Sequence, residues 1–176
     1  YLTRNDPPLA DEMLGHLIEF LRRSLPRTED SLSTLGDELD RSRAYLQILK
    51  LRMGTRLDLQ WEVADDLRAT PLPPMMLQTL VENAIKHGLE PKPGGGTVWI
   101  IARRNDDSTV SVTVADDGLG FNVLNSGTGI GLRNVRERLQ LAYGGQAQLS
   151  IVANFPNGVA ATIVVPAQSG PESARV

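Results

Sequence analysis

The residues best placed to do chemistry are Asp116 and the glycines that follow it. An alternating apolar run ends at Asp116-Asp117-Gly118-Leu119-Gly120, and after a short loop comes Gly127-Thr128-Gly129-Ile130-Gly131-Leu132, opening an amphipathic stretch. Glycines let backbone N–H groups approach phosphates without interference from a Cβ, and a helix N-terminus adds partial positive charge. A carboxylate at a strand end can accept a hydrogen bond from an exocyclic amine. Together these features fit a nucleotide site. GxGxG runs also occur as plain turns, so the stretch alone leaves both readings open.

The elements that must position these residues can be read from periodicity. Leu9, Met13, Leu14, Leu17, Ile18, Leu21 and Leu25 form one stripe of a helix that Pro26 ends. After a polar turn over 27–33, Thr34 and Asp37 read as a capping box. The helix that follows has apolar positions Leu35, Leu39, Leu46, Leu49 and Met53, with Gly54 as C-cap. That seam suits a helical hairpin or a dimeric bundle. From Arg56 the period changes to two, and Leu57, Leu59, Trp61 and Val63 predict a half-buried strand. The prolines of Pro71-Leu72-Pro73-Pro74 are expected in a first helical turn, ahead of a helix over 75–87 that Gly88 closes. Strands are expected at 97–104 and 109–114 across a turn at 105–108. A further pair is expected at 147–152 and 159–165, and residues 167–176 are expected to be a mobile tail.

The order strand, helix, strand, strand, helix, strand, strand predicts an α+β fold, a mixed sheet with helices on one face. A dinucleotide fold needs regular βαβ alternation and an acidic residue about 20 positions after the glycines, and neither is present. A P-loop needs Gly-Lys-Ser/Thr where this chain has Gly131-Leu132-Arg133. The 176 residues carry a net charge of −3, which gives no reason to expect nucleic acid as a partner. No cysteine is present, so disulfides and thiolate metal sites are excluded. No apolar run reaches the length of a membrane span, and no signal peptide is visible. The chain opens on Tyr1, almost within a helix, and is expected to be a fragment of a longer protein.

Three boxes in order turn the odds toward a nucleotide site. Leu80-Val81-Glu82-Asn83-Ala84-Ile85-Lys86-His87-Gly88, then Asp116-x-Gly118-x-Gly120, then Gly127-x-Gly129-x-Gly131-Leu132, resemble the N, G1 and G2 boxes of the GHKL ATPases, which include histidine kinases, gyrase, Hsp90 and MutL. Tyr45-Leu-x-Ile48-x-Lys50-x-Arg52, Leu77-Gln78 and Gly131-Leu-Arg-Asn-Val-Arg-Glu-Arg-Leu139 resemble the LytS/AlgZ-type sensor histidine kinases in particular. The resemblance runs from Leu9 to Pro166. It implies a Bergerat two-layer α/β sandwich over residues 56–166, preceded by an α-helical hairpin. Residues 1–55 would then be the C-terminal part of a dimerisation and phosphotransfer region.

The resemblance also implies roles. Asn83 matches the asparagine that coordinates Mg2+ on ATP, with Glu82 a second metal candidate. Lys86 and His87, sharing the face of Asn83, are expected to reach phosphate oxygens. Asp116 matches the aspartate that reads the adenine amino group, and Gly118 and Gly120 shape that wall. Gly127, Thr128, Gly129, Gly131 and Leu132 match the loop and helix start beside the phosphates, with residues 121–126 as a lid. Arg133 and Arg136 are weaker phosphate candidates. Each has a plainer counterpart: Lys86 and His87 as partners of a helix dipole, Arg136, Glu137 and Arg138 as a solvated face, Asp117 as a turn residue, and Trp61 and Trp99 as packing.

Departures from the pattern matter as well. Thr79 stands where hydrolysing members often carry a glutamate base, and a hydroxyl is a poor base at neutral pH. Val159 replaces a threonine often found near adenine. The acceptor histidine motif of this branch is absent, and His16 has no adjacent carboxylate in sequence, so His16 is expected to be structural. The implied function is the ATP-binding kinase domain of a two-component sensor, transferring the γ-phosphoryl of Mg-ATP to an upstream histidine. Expected partners are a second copy, through the helical region, and a response regulator. The expected setting is a cytoplasmic fragment of a bacterial inner-membrane protein, attached to the membrane only through upstream segments. An anti-sigma serine kinase and a non-catalytic ATP-gated dimerisation module stay open.

Overall fold

The computed structural model describes residues 7–24, 33–105, 108–120 and 129–167. The expected lid at 121–126, Gly127, Thr128 and the tail from 168 lie outside these. Helix α1 (Pro7–Ser24) follows its predicted stripe, yet Leu14, Leu17, Ile18 and Leu21 are exposed. Strand β1 (Ser33–Thr34) leads into helix α2 (Leu35–Met53), which packs beside α1. The capping box forms as predicted, with the Thr34 hydroxyl accepting the Asp37 N–H and the Asp37 carboxylate accepting the Thr34 N–H.

Strand β2 (Leu57–Val63) is followed by β3 (Pro71–Leu72), which pairs antiparallel with β1. The expectation that Pro71 opens a helix is corrected here. A residue preceding proline is driven out of the α region, which disfavours a helix at Thr70, Leu72 and Pro73, and Pro71-Leu72 is strand instead. The helix waits until α3 (Met76–Asn83), which runs on as π-helical turns through Ala84–Leu89. Gly88 therefore does not close the helix; it lies inside it, for a reason that belongs to the site. Strands β4 (Gly96–Arg104) and β5 (Thr109–Asp116) follow, then helix α4 (Gly129–Tyr143) and the hairpin β6 (Gln148–Ala153) and β7 (Val159–Pro166).

The main sheet has the order β2-β4-β5-β7-β6. Only β2 and β4 are parallel, because the chain between them crosses over through α3. The other neighbours are antiparallel. Alternation sends Val98, Ile100, Val112, Val114, Ile163 and Val165 to one face, where they share a core with Leu77, Leu80 and Val81 of α3 and Val135 and Leu139 of α4. On the other face Thr113 and Thr162 join hydroxyl to hydroxyl at 2.8 Å. This is the predicted α+β fold with a mixed sheet. Leu35, Leu39, Leu46 and Leu49 of α2 belong to the same core. The seam assigned to a hairpin or bundle thus largely faces the sheet's helical layer, and the exposed apolar stripe belongs to α1. Among the described residues no helix is long and apolar enough to cross a membrane.

Candidate nucleotide site

A cleft opens between α3, the end of β5 and the start of α4. One stripe of α3 and its π-helical extension forms the first wall: Leu80, Asn83, Ala84, His87 and Gly88. The sheet supplies Val114, Asp116, Ile151, Val159 and Ala161, and Gly120 and Leu132 complete the rim. Most of this lining is apolar, with polar groups at Asn83, His87 and Asp116. That arrangement fits a flat heterocycle with a polar edge at one end and charged groups at the other.

Asp116 stands at the closed end and is only 3% exposed. Its Oδ1 accepts the Gly118 N–H at 2.8 Å. Burial pushes its carboxyl up to about 6, against the opposing pull of N–H bonds from Gly118 and Val159. Val159, read from sequence as a lost polar contact, thus contributes its backbone N–H instead. The backbone carbonyl of Asp116 accepts the Asn154 side-chain amide at 2.9 Å. Asp117 does more than turn the chain: its Oδ1 accepts the Thr97 N–H at 2.9 Å, and Lys92 donates to its carbonyl at 2.6 Å.

Glycine is required where backbones meet. A Cβ on Gly88 would lie 2.7 Å from Asp116 Oδ1, and one on Gly118 would lie 2.3 Å from the Gly88 backbone. The Leu119 N–H donates to the Gly88 carbonyl at 3.2 Å. The N-box helix and the loop after β5 are therefore in direct backbone contact, which the π-helical turns maintain by carrying the helix past Gly88. Such turns recur at functional sites.

At the open end Asn83 Nδ2 is buried and has no hydrogen-bond partner among the described residues. A buried polar group without a partner needs an explanation, and a ligand at this position supplies one. Gly131 sits against it; a Cβ there would lie 3.9 Å from Asn83 Nδ2 and 3.4 Å from Thr79 Cγ2. The start of α4 at Gly131 thus lies against Asn83. The Thr79 hydroxyl donates to the Met75 carbonyl at 2.7 Å, so it is engaged within its own helix.

Of the two expected phosphate residues, His87 is on the cleft wall, while Lys86 is exposed and outside the lining. Burial, and secondarily Lys86, lowers the His87 pKa, which favours neutral imidazole. Glu82 does not line the cleft either. It is exposed and accepts the Gln78 side-chain amide at 2.9 Å, one hundred degrees or so around the helix from Asn83. Arg133 pairs with Glu137 at 3.4 Å on an exposed face, and Arg136 and Arg138 are exposed too. His16 does have a nearby carboxylate, because the helix brings Glu12 Oε1 to 3.9 Å from its Nε2, beyond hydrogen-bond length. Among the described residues no cluster of His, Asp and Glu could hold a metal by itself. Sequence reasoning missed Glu38, Lys92 and the apolar wall from β6 and β7.

Comparison with known proteins bears on the family and the fold. The model for the histidine kinase-, DNA gyrase B-, and HSP90-like ATPase family matches residues 72–169, and a histidine kinase family model matches residues 1–57. Sensor protein LytS of Oceanobacillus iheyensis is 33% identical over 94% of this chain and 30% of its own length. Sensor histidine kinase BtsS of Escherichia coli is 31% identical over 94% of this chain and 29% of its length. Sensor histidine kinase YesM of Bacillus subtilis is 34% identical over 90% and 27%. The chain thus spans less than a third of these relatives. Among solved structures, the histidine kinase domain of the Erythrobacter litoralis EL346 blue-light activated kinase superposes with a TM-score of 0.58 at 21% identity, covering 88% of this chain and 71% of that one. The catalytic domain of histidine kinase ThkA gives 0.60 at 17%, covering 77% and 96%. Both likenesses speak to fold.

Proposed function

The chain belongs to the histidine kinase-, DNA gyrase B-, and HSP90-like ATPase family, and on that premise we propose that it binds Mg-ATP and presents the γ-phosphoryl group to a histidine of a two-component sensor kinase. The observation that carries this reading is the polar pairing of one cleft: a buried carboxylate at one end and, at the other, an asparagine Nδ2 with no partner among the described residues.

Asp116 accepts the adenine amino group while Val114, Ile151 and Ala161 cover the ring and exclude water. The Gly118 and Val159 N–H groups orient the carboxylate for that contact. Toward the other end, Asn83 offers its amide to the ion and phosphates, and the first turn of α4 at Gly131 lies against the same region. Mg2+, when bound, neutralises triphosphate charge and orients the transferred group. Asn83 is the residue that would hold it; Glu82 is turned away. His87, kept neutral, can donate a ring N–H to a phosphate oxygen. Gly127 and Thr128 belong to the proposed phosphate loop by resemblance alone. Thr79, at the position where hydrolysing members often carry a glutamate base, has its hydroxyl engaged with the Met75 carbonyl, and this favours transfer to a side chain over hydrolysis.

The rest of the assignment concerns the helical region and the partners. Residues 1–55 are proposed as part of a dimerisation and phosphotransfer region and 56–166 as the catalytic domain. The exposed Leu14, Leu17, Ile18 and Leu21 stripe on α1 supports pairing with a second copy. The names of the bacterial relatives, sensor protein and sensor histidine kinase, support a sensor as the setting, and the family resemblance supports a response regulator as recipient and attachment to the inner membrane. Calorimetry tests the nucleotide reading: ATP should bind with Mg2+ dependence and GTP poorly. Equal affinity for both bases would reject Asp116 as the base reader.

A further inference from the structure

Helix α3, which carries Asn83, starts without a cap of its own. The residues before it are Pro71-Leu72-Pro73-Pro74, and Met75 at the N-cap makes no side-chain hydrogen bond and sits at φ 66°. A helix start leaves N–H groups unsatisfied, and a methionine thioether is a poor acceptor for them. The missing acceptor arrives from α2. Glu38 Oε1 accepts the Met75 N–H at 2.9 Å and Oε2 accepts the Leu77 N–H at 3.1 Å. One carboxylate, 37 and 39 residues away in sequence, does the work of a capping side chain.

Glu38 is fully buried, at 0% exposure, with Arg41 as its counter-ion one turn along. It occupies the apolar stripe between Leu35 and Leu39, where a leucine would avoid the cost of burying a charge. A second rung lies beyond it: Ser42 Oγ donates to Gln78 Oε1 at 3.4 Å, and Gln78 Nε2 donates to Glu82 Oε1 at 2.9 Å. Polar contacts from α2 therefore run along α3 and stop at the residue next to Asn83.

We infer that Glu38 is a positioning residue, whose carboxylate fixes the start of α3 and so sets how Asn83 meets the phosphate end of the cleft. It touches neither nucleotide nor metal. Through it, the orientation of α2 is tied to the metal end of the site, while the adenine end rests on Asp116 and the sheet. This inference rests on the Mg-ATP reading of the cleft.

The test is titration of the whole chain with ATP, once with Mg2+ and once with EDTA, alongside thermal unfolding by circular dichroism. Glu38→Gln keeps the shape but turns an amide N–H2 toward one of the two N–H donors. Glu38→Asp keeps the charge but falls short by one methylene, and is read in the same way if the first variant does not fold. The expected result is cooperative unfolding, metal-free ATP affinity within about twofold of the parent, and Mg-ATP affinity about tenfold weaker. Losses that are equal with and without metal would mean a purely structural role, and unchanged Mg-ATP affinity would mean no role; either overturns the inference. A parent chain that binds no Mg-ATP would instead reject the nucleotide reading itself.

Discussion

Asp116→Asn separates the base-reading role of Asp116 from its structural one. The parent carboxylate is 3% exposed and is pushed by burial up to about 6. The substitution removes the charge and one of two acceptor oxygens, and leaves an N–H2 group facing a donor. Losing a charge-assisted hydrogen bond to adenine costs about 1.5–3 kcal/mol, or roughly tenfold to hundredfold in ATP affinity. The pH dependence has a definite sign. At pH 8 nearly all of the parent is ionised, whereas at pH 5 only about a tenth is, so parent affinity should fall about tenfold across that range. The variant should lose this dependence, and it also controls for titration of the nucleotide. Protonation of His87 would work in the opposite direction, since added positive charge favours phosphate.

Stability should move differently. A raised carboxyl pKa means that the fold favours the neutral acid. That contribution is fully present below about 3.8 and is lost as pH rises through about 6, a difference of roughly 3 kcal/mol. The variant is neutral throughout, so at pH 7 this relief offsets its poorer bonding to Gly118 and Val159, and it should remain folded. Calorimetry at pH 5 and pH 8, with thermal melts of the same samples, provides both readings. Equal ATP affinity in the two proteins at pH 8 would refute the reasoning, as would weak binding that merely tracks loss of fold.

Three other substitutions probe the remaining parts of the site. Asn83→Ala removes an amide whose Nδ2 has no partner among the described residues, so melting should change by less than about 1 kcal/mol while Mg-ATP binding weakens more than metal-free binding; paired titrations with and without EDTA report this. Gly88→Ala drives a methyl to 2.7 Å from Asp116 Oδ1, and should cost about 1–3 kcal/mol of stability by overpacking and abolish ATP binding, read by melting and calorimetry. Lys92→Ala frees the loop that carries Asp117, so proton exchange at the Thr97 and Asp117 amides should accelerate without loss of the sheet.

The helices, five long strands and three boxes were legible because each rests on local periodicity or on glycines with a local purpose. What escaped was set by residues distant in sequence. Pro71 and Leu72 became a strand because Ser33 and Thr34 lie beside them. Gly88 lies within the helix because Asp116 needs the space that a side chain would fill. The polarity of Glu38 and Ser42 on an apolar stripe was visible, but their partners lie 36 to 39 residues on. Lys86, His87 and Glu82 are expected from the resemblance and their nearness to Asn83; His87 lines the cleft, while Lys86 and Glu82 are exposed outside its lining.

The proposed kinase activity is tested most directly by incubating ATP labelled at the γ-phosphate with this chain, alone and joined to upstream residues of its own protein. Acid-labile, base-stable label should appear on the longer protein and not on this chain alone. Acid-labile label on this chain, abolished by His16→Gln, would contradict the upstream acceptor and give the Glu12–His16 pair a catalytic part. Acid-stable label, or none on the longer protein while Mg-ATP binds, would contradict phosphoryl transfer to histidine.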